Sequence, residues 1–236
     1  SFPRRSDPTR PPFDAPRALG YHVSEAGTGH REPDVTVRQF GAIAAAVWAL
    51  MWAGCGGDSA DPAGDDGASA QAAVERGWSA YATRDFSVAL VEFERAVNLD
   101  ASQADAHNGL GWTRLHLLEG APTDDVLDLA ADSFGAALRV DGDFADAWVG
   151  MGQALYMTRG GVKGLLDAAN ALASARGASP ASLYRHDYTS EAQLRALEGW
   201  CYFYAGDPTT ASSLARAATE LDPNVGAATL LAQVAQ

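Results

Sequence analysis

One pattern recurs four times between residues 77 and 218 and leaves the chain very few architectures. Glycine stands at the centre of an apolar helical stretch at Gly77, Gly111, Gly152 and Gly199. Downstream of each lies an alanine, then a large apolar residue four positions on, then a second alanine three further. The copies read Ala89/Phe93/Ala96, Ala130/Phe134/Ala137 and Ala168/Leu172/Ala175, while the last, Ala211/Ala215/Ala218, lacks the large residue. Spacings of three and four put these side chains on one helix face. The Gly-to-Ala distance is 12, 19, 16 and 12 residues, so the inner copies carry insertions of 7 and 4. Small residues on one helix let a neighbour approach, and the large residue fills the gap between successive pairs. A single helical pair cannot bury its own apolar face, so neighbours must stack. The expectation is an all-α solenoid, because residues 69–236 hold no convincing alternating strand.

Gly77 and Gly111 are 34 residues apart, the period of the tetratricopeptide repeat (TPR). Ala147-Trp148-Val149-Gly150-Met151-Gly152 resembles the Trp-x2-Leu-Gly element of that family, with Met for Leu. Asn98-Leu99-Asp100 and Glu220-Leu221-Asp222-Pro223 resemble its repeat ends. Over roughly residues 69–223 the chain therefore resembles a TPR protein. The resemblance implies four helix-turn-helix repeats at 69–103, 104–144, 145–180 and 181–223. Residues 224–236, with Val225, Leu230, Leu231 and Val234, read as a capping helix. Insertions are expected at 117–127 and 181–191.

In TPR proteins the first helices of successive repeats line a concave groove. Counting one, four and five positions from each glycine, the resemblance points to Trp78 and Tyr81, Trp112, Leu115 and His116, Gln153, Tyr156 and Met157, and Trp200, Phe203 and Tyr204. The candidate partner-binding set is Trp78, Tyr81, Trp112, His116, Tyr156, Trp200, Phe203 and Tyr204. Such rings anchor interfaces because they bury much area with few rotors, although rings at these places also pack between repeats. Some TPRs clamp a C-terminal carboxylate with basic groove residues. Here residues 71–78, 105–112 and 146–153 hold only Arg76, expected to face the core.

Little points to catalysis. His107, His116 and His186 have no ligand or triad spacing, and Tyr184-Arg185-His186-Asp187-Tyr188 reads as a solvated loop rather than a metal or acid–base site. There is no nucleophile motif, phosphate loop or paired-cysteine metal site, so the expectation is a non-enzyme without cofactor or metal. Cys201, two after Gly199, is expected to be a packed free thiol.

The N-terminal quarter reads differently. Residues 1–36 are rich in Pro and Arg without hydrophobic periodicity, and read as disordered. Residues 37–54 place Arg38 before an uncharged run, Phe40 to Gly54, too short for the roughly 20 residues of a spanning helix. A positive start, a short apolar core and a small-residue exit mark a secretory signal. Ala53-Gly54-Cys55 resembles the end of a bacterial lipobox, with Trp52 where that family usually carries Leu. The resemblance implies cleavage before Cys55 and lipid on Cys55. A secretory signal belongs at an N-terminus, so the expectation is initiation at Val37 with residues 1–36 outside the native protein; the alternative keeps 1–36 as a cytoplasmic tail on a short membrane anchor. Residues 55–68, acidic and Gly-rich, then read as a flexible tether.

From Cys55 onward the chain carries 25 acidic and 11 basic residues, a balance that disfavours nucleic acid and anionic lipid. These features together suggest a lipid-anchored scaffold or assembly factor of the bacterial envelope, on the outer membrane in preference to the inner. Its groove would hold a protein or peptide. TPR lipoproteins of this kind often assist pilus, secretion or outer-membrane assembly. Two alternatives are a self-assembling solenoid subunit and a small-ligand or glycan binder using the aromatic groove.

Overall fold

The computed structural model describes residues 62–117, 123–178 and 186–234. The signal segment 37–54, Cys55 and residues 1–36 lie outside these. The described helices are α1 (Pro62–Ala82), α2 (Phe86–Leu99), α3 (Ala104–Leu117), α4 (Asp124–Val140), α5 (Ala145–Thr158), α6 (Gly161–Gly177), α7 (Glu191–Tyr204), α8 (Pro208–Leu221) and α9 (Gly226–Val234). No strand occurs among the described residues. Each helix packs on its neighbour in sequence, giving four antiparallel hairpins and a terminal helix that seats on α7 and α8.

Short-range chemistry explains where the helices start and stop. Asp85, Ser190 and Asp207 cap α2, α7 and α8 by accepting from the backbone N–H three residues on. Asp100, Asp141 and Asp222 end α2, α4 and α8, and each accepts from the N–H two residues further at 2.9–3.0 Å. These Asx turns aim the chain into the next repeat. His107 and Trp148, both four residues before a repeat glycine, tie their helices to the preceding turn through Ala101 and Gly142 carbonyls at 3.0 and 2.8 Å. The seventh residue after the glycine is left-handed: Arg84 (φ 63°), Arg159 (φ 54°) and Gly206 (φ 90°). Glycine is the unstrained choice there, and only the fourth repeat uses it.

The core is a series of wedges. Phe93 of α2 is fully buried against Gly77 of α1 and Gly109 of α3, where an added Cβ would overlap its ring. Phe134 of α4 is held the same way by Gly111 of α3 and Gly150 of α5. At the third junction Leu172 meets Gly152, and the position equivalent to Gly109 and Gly150 is the fully buried Leu197. A smaller wedge is thus matched by a larger partner. The fourth repeat lacks its own large residue, and α9 supplies one: Leu231 is fully buried, and its Cδ2 lies 2.5 Å from where a Cβ on Gly199 would stand. The terminal helix is therefore an integral part of the last repeat's core.

Two expectations need correction, and one insertion finds its place. The tether drawn through residue 68 ends sooner, because α1 begins at Pro62. Proline suits the first helical position. The four-residue insertion of the third repeat is an extra helical turn: α6 has 17 residues against 14 in α2 and α8. Arg76 faces outward, its side chain 48% exposed and its Nε donating to Glu92 at 2.8 Å.

Gly152→Leu should cost roughly 1–3 kcal/mol or more, because the added side chain collides with Leu172 and the Ala168 carbonyl. Leu231→Ala should cost roughly 2–5 kcal/mol. Urea unfolding measures both, and an unchanged midpoint for either removes that residue from the wedge series.

Candidate functional site

The first helices present the residues expected of a groove, but the chain fills half of it. His186, Asp187 and Tyr188, just before α7, lie among the rings of the first three repeats. The His186 imidazole stacks on Trp78 at 5.0 Å and 26° and meets Trp112 edge-on at 4.8 Å. It also meets Tyr81 at 5.2 Å. Phe86 stacks on His116 at 4.5 Å and closes that side. Asp187 accepts from His116 Nε2 at 2.8 Å, from His186 Nδ1 at 2.5 Å and from the Tyr81 hydroxyl. His186 Nε2 donates to Asp146 at 3.0 Å, and Asn108 Nδ2 donates to the same oxygen at 2.7 Å. The Tyr188 hydroxyl donates to Gln153 at 2.5 Å. Segment 186–188 is thereby bound by α1, α3 and α5 much as a separate peptide would be.

The electrostatics fasten it. Burial alone would push the His186 imidazole down, but hydrogen bonds and charge from Asp146 and Asp187 outweigh burial and raise it to about 9. Burial likewise favours protonated Asp187, but His116 and His186 hold its carboxyl well below the usual range. At neutral pH an imidazolium therefore sits between two carboxylates in a largely dry site. Losing one partner of such a pair leaves an uncompensated buried charge, typically costing 3–5 kcal/mol. The geometry is that of a latch. Among the described residues no group of three His, Cys, Asp or Glu side chains is placed to hold a metal ion.

No protein-family model matches the chain, and no curated protein matches it. Solved structures do. PilF of Pseudomonas aeruginosa is 20% identical, with a TM-score of 0.56 over 72% of this chain and 69% of that one. A thermophilic TPR protein of Thermus thermophilus is 19% identical, with a TM-score of 0.52 over 70% and 82%. MamA is 17% identical, with a TM-score of 0.51 over 72% and 87%. The fold is a TPR solenoid. At these identities the likeness speaks for the fold alone.

The TPR groove is thus divided. Trp78, Tyr81, Trp112 and His116 surround segment 186–188; Trp112 is fully buried and packs edge-on against Phe134 at 5.6 Å. Tyr156, Trp200, Phe203 and Tyr204 form a second group around the ends of α5 and α7. Trp200 stacks on Tyr204 at 5.5 Å, and Phe203 meets both rings edge-on. Phe203 and Tyr204 are half-buried. Here the first helices no longer close-pack: α1 touches α3 and α3 touches α5, but α5 makes no comparable contact with α7. The Arg159 guanidinium lies in between, 4.1 Å from the Tyr156 ring and 4.5 Å from the Tyr204 ring.

Several participants escaped sequence reasoning. His186 and Asp187, read as a solvated loop, are largely buried in the groove; only the alternation of aromatic and charged residues in 184–188 hinted at an inserted segment. Two histidines without sequence spacing, His116 and His186, meet through Asp187. Arg159 lies just past a helix end, where the groove count from Gly152 had stopped. Cys201, by contrast, is the free, fully buried thiol expected from the sequence, and burial pushes it up to about 12.

Two outcomes follow for the latch. A group raised in the folded state stabilises fully below its unfolded value, near 6.5 for His186, and loses that contribution as pH rises through about 9. The wild-type melting temperature should fall between pH 6.5 and 9.5, and His186→Gln should abolish most of that slope; equal slopes would remove His186 from the latch. Trp112→Ala should cost roughly 3–5 kcal/mol in urea unfolding as a core deletion, and a neutral effect would show that its ring is not packed.

Proposed function

We propose that this TPR solenoid is a lipid-anchored interaction scaffold of the bacterial cell envelope, which holds a protein partner on the C-terminal half of its groove. The observation that carries this reading is the half-exposed group Phe203 and Tyr204 with Arg159 between α5 and α7, in a groove whose other half is already occupied by residues 186–188. Large rings beside a cation, partly open to solvent, favour an anchored contact with another chain. The last described helix, through Leu231 on Gly199, covers the face of the fourth repeat on which another copy would have to stack. The lipid anchor rests on the signal-like run 37–54 and on Cys55 with its lipobox-like approach.

Site-specific photocrosslinkers tested in native membranes would examine both parts. A crosslinker at Phe203 should capture a discrete partner, whereas one at Trp112 should not. Phe203→Ala should weaken that partner by roughly 1–4 kcal/mol while the melting temperature stays within a few degrees. Cys55→Ser should release the protein from the membrane. Partner capture unaffected by Phe203→Ala would refute the groove reading, and continued membrane retention of Cys55→Ser would refute the anchor.

A further inference from the structure

Arg159 is the cation set among the rings of the open half of the groove. Arg76, Arg176 and Arg195 each pair with a carboxylate, namely Glu92, Glu198 and Glu191. Arg159 pairs with none among the described residues, although this part of the chain is strongly acidic. It is held instead between the Tyr156 and Tyr204 rings, at 4.1 and 4.5 Å. It is also the strained choice: at φ 54° it occupies the left-handed position that the fourth repeat gives to Gly206. Beside it the Tyr156 hydroxyl is buried, on a side chain only 3% exposed, with the Arg159 guanidinium placed to donate to it and no acceptor for its own proton. A strained guanidinium next to a buried hydroxyl whose proton has no acceptor is an incomplete polar site.

The occupied half of the groove indicates what completes it. There Tyr81, which like Tyr156 stands four residues after its repeat glycine, and His116 both donate to one carboxylate, that of Asp187, whose neighbour His186 stacks on Trp78. We infer that the open half binds an extended peptide segment of a partner protein through a carboxylate, which Arg159 and the Tyr156 hydroxyl receive while an adjacent apolar or aromatic side chain packs on Phe203 and Tyr204. Arginine's planar fork suits a carboxylate bidentately, and the flanking rings keep it in place and partly dry. This rests on the groove reading above and adds to it the chemistry of the partner.

The probe is N-acetyl-Phe-Asp-Tyr-amide against its Phe-Asn-Tyr counterpart, titrated on the full chain with tryptophan fluorescence as the readout. The Asp peptide should bind about tenfold tighter than the Asn peptide, the discrimination typical of a charge-assisted pair. Arg159→Gly should erase that difference while melting at the same or a higher temperature, because glycine relieves the left-handed backbone. Equal binding of the two peptides, no binding of either, or discrimination surviving in Arg159→Gly would each overturn the inference. If Phe203→Ala loses the native partner but Arg159→Gly keeps it, the groove reading stands and this inference fails. If neither variant affects capture, the groove reading itself fails.

Discussion

The contact on which everything else depends is a large side chain seated where two glycines let it in. Phe93 and Phe134 each reach across from the second helix of a hairpin and lie against glycines of two first helices, so one ring sets the spacing within its repeat and to the next. An interior this dense tolerates few changes of volume. The third junction keeps the rule with Leu172 and Leu197 in place of Phe and Gly. The fourth has no large residue of its own and borrows Leu231 from α9. The curvature that creates a concave face follows from these wedges, because first helices lined with glycine approach more closely than second helices lined with rings.

That concave face is not empty. The chain leaves α6 at Gly177 and passes through the groove at 186–188 before α7 begins at Glu191. The segment brings charge into a ring-lined space and finds partners already placed: Asp146 and Asn108 on one side, His116 and Tyr81 on the other. Each charged group by itself would be costly to bury, and together they neutralise one another. The result joins the first three repeats across their open side. It also leaves the α5–α7 gap, where Arg159, Tyr156 and Tyr204 meet, as the part of the groove that faces outward.

Much of this was legible in the sequence because the repeat is a local, periodic signal. The period of 34 residues, the Ala-large-Ala faces and the Asp residues at repeat ends act through neighbours three or four positions away. Gly109 and Gly150 follow the same logic two residues before their repeat glycines, but their purpose appears only when Phe93 and Phe134 lie on them. The latch was illegible for a different reason. Asp146 and His186 are 40 residues apart, and His116 and Asp187 are 71 apart. Nothing in their spacing announces a contact, and a stretch such as Tyr184 to Tyr188, polar and between helices, has the composition of a surface loop. Burial of its charges is a tertiary choice made possible by polar and charged partners on three other helices.

The central claim is that the chain occupies the N-terminal half of its own groove and leaves only the C-terminal half for others. Proton–nitrogen NMR of the histidine side chains in the full-length protein at pH 7.5 tests it most directly. The account predicts a His186 ring protonated on both nitrogens, slow to exchange, with cross-relaxation to the indoles of Trp78 and Trp112. A neutral, freely exchanging His186 without proximity to either indole would contradict it.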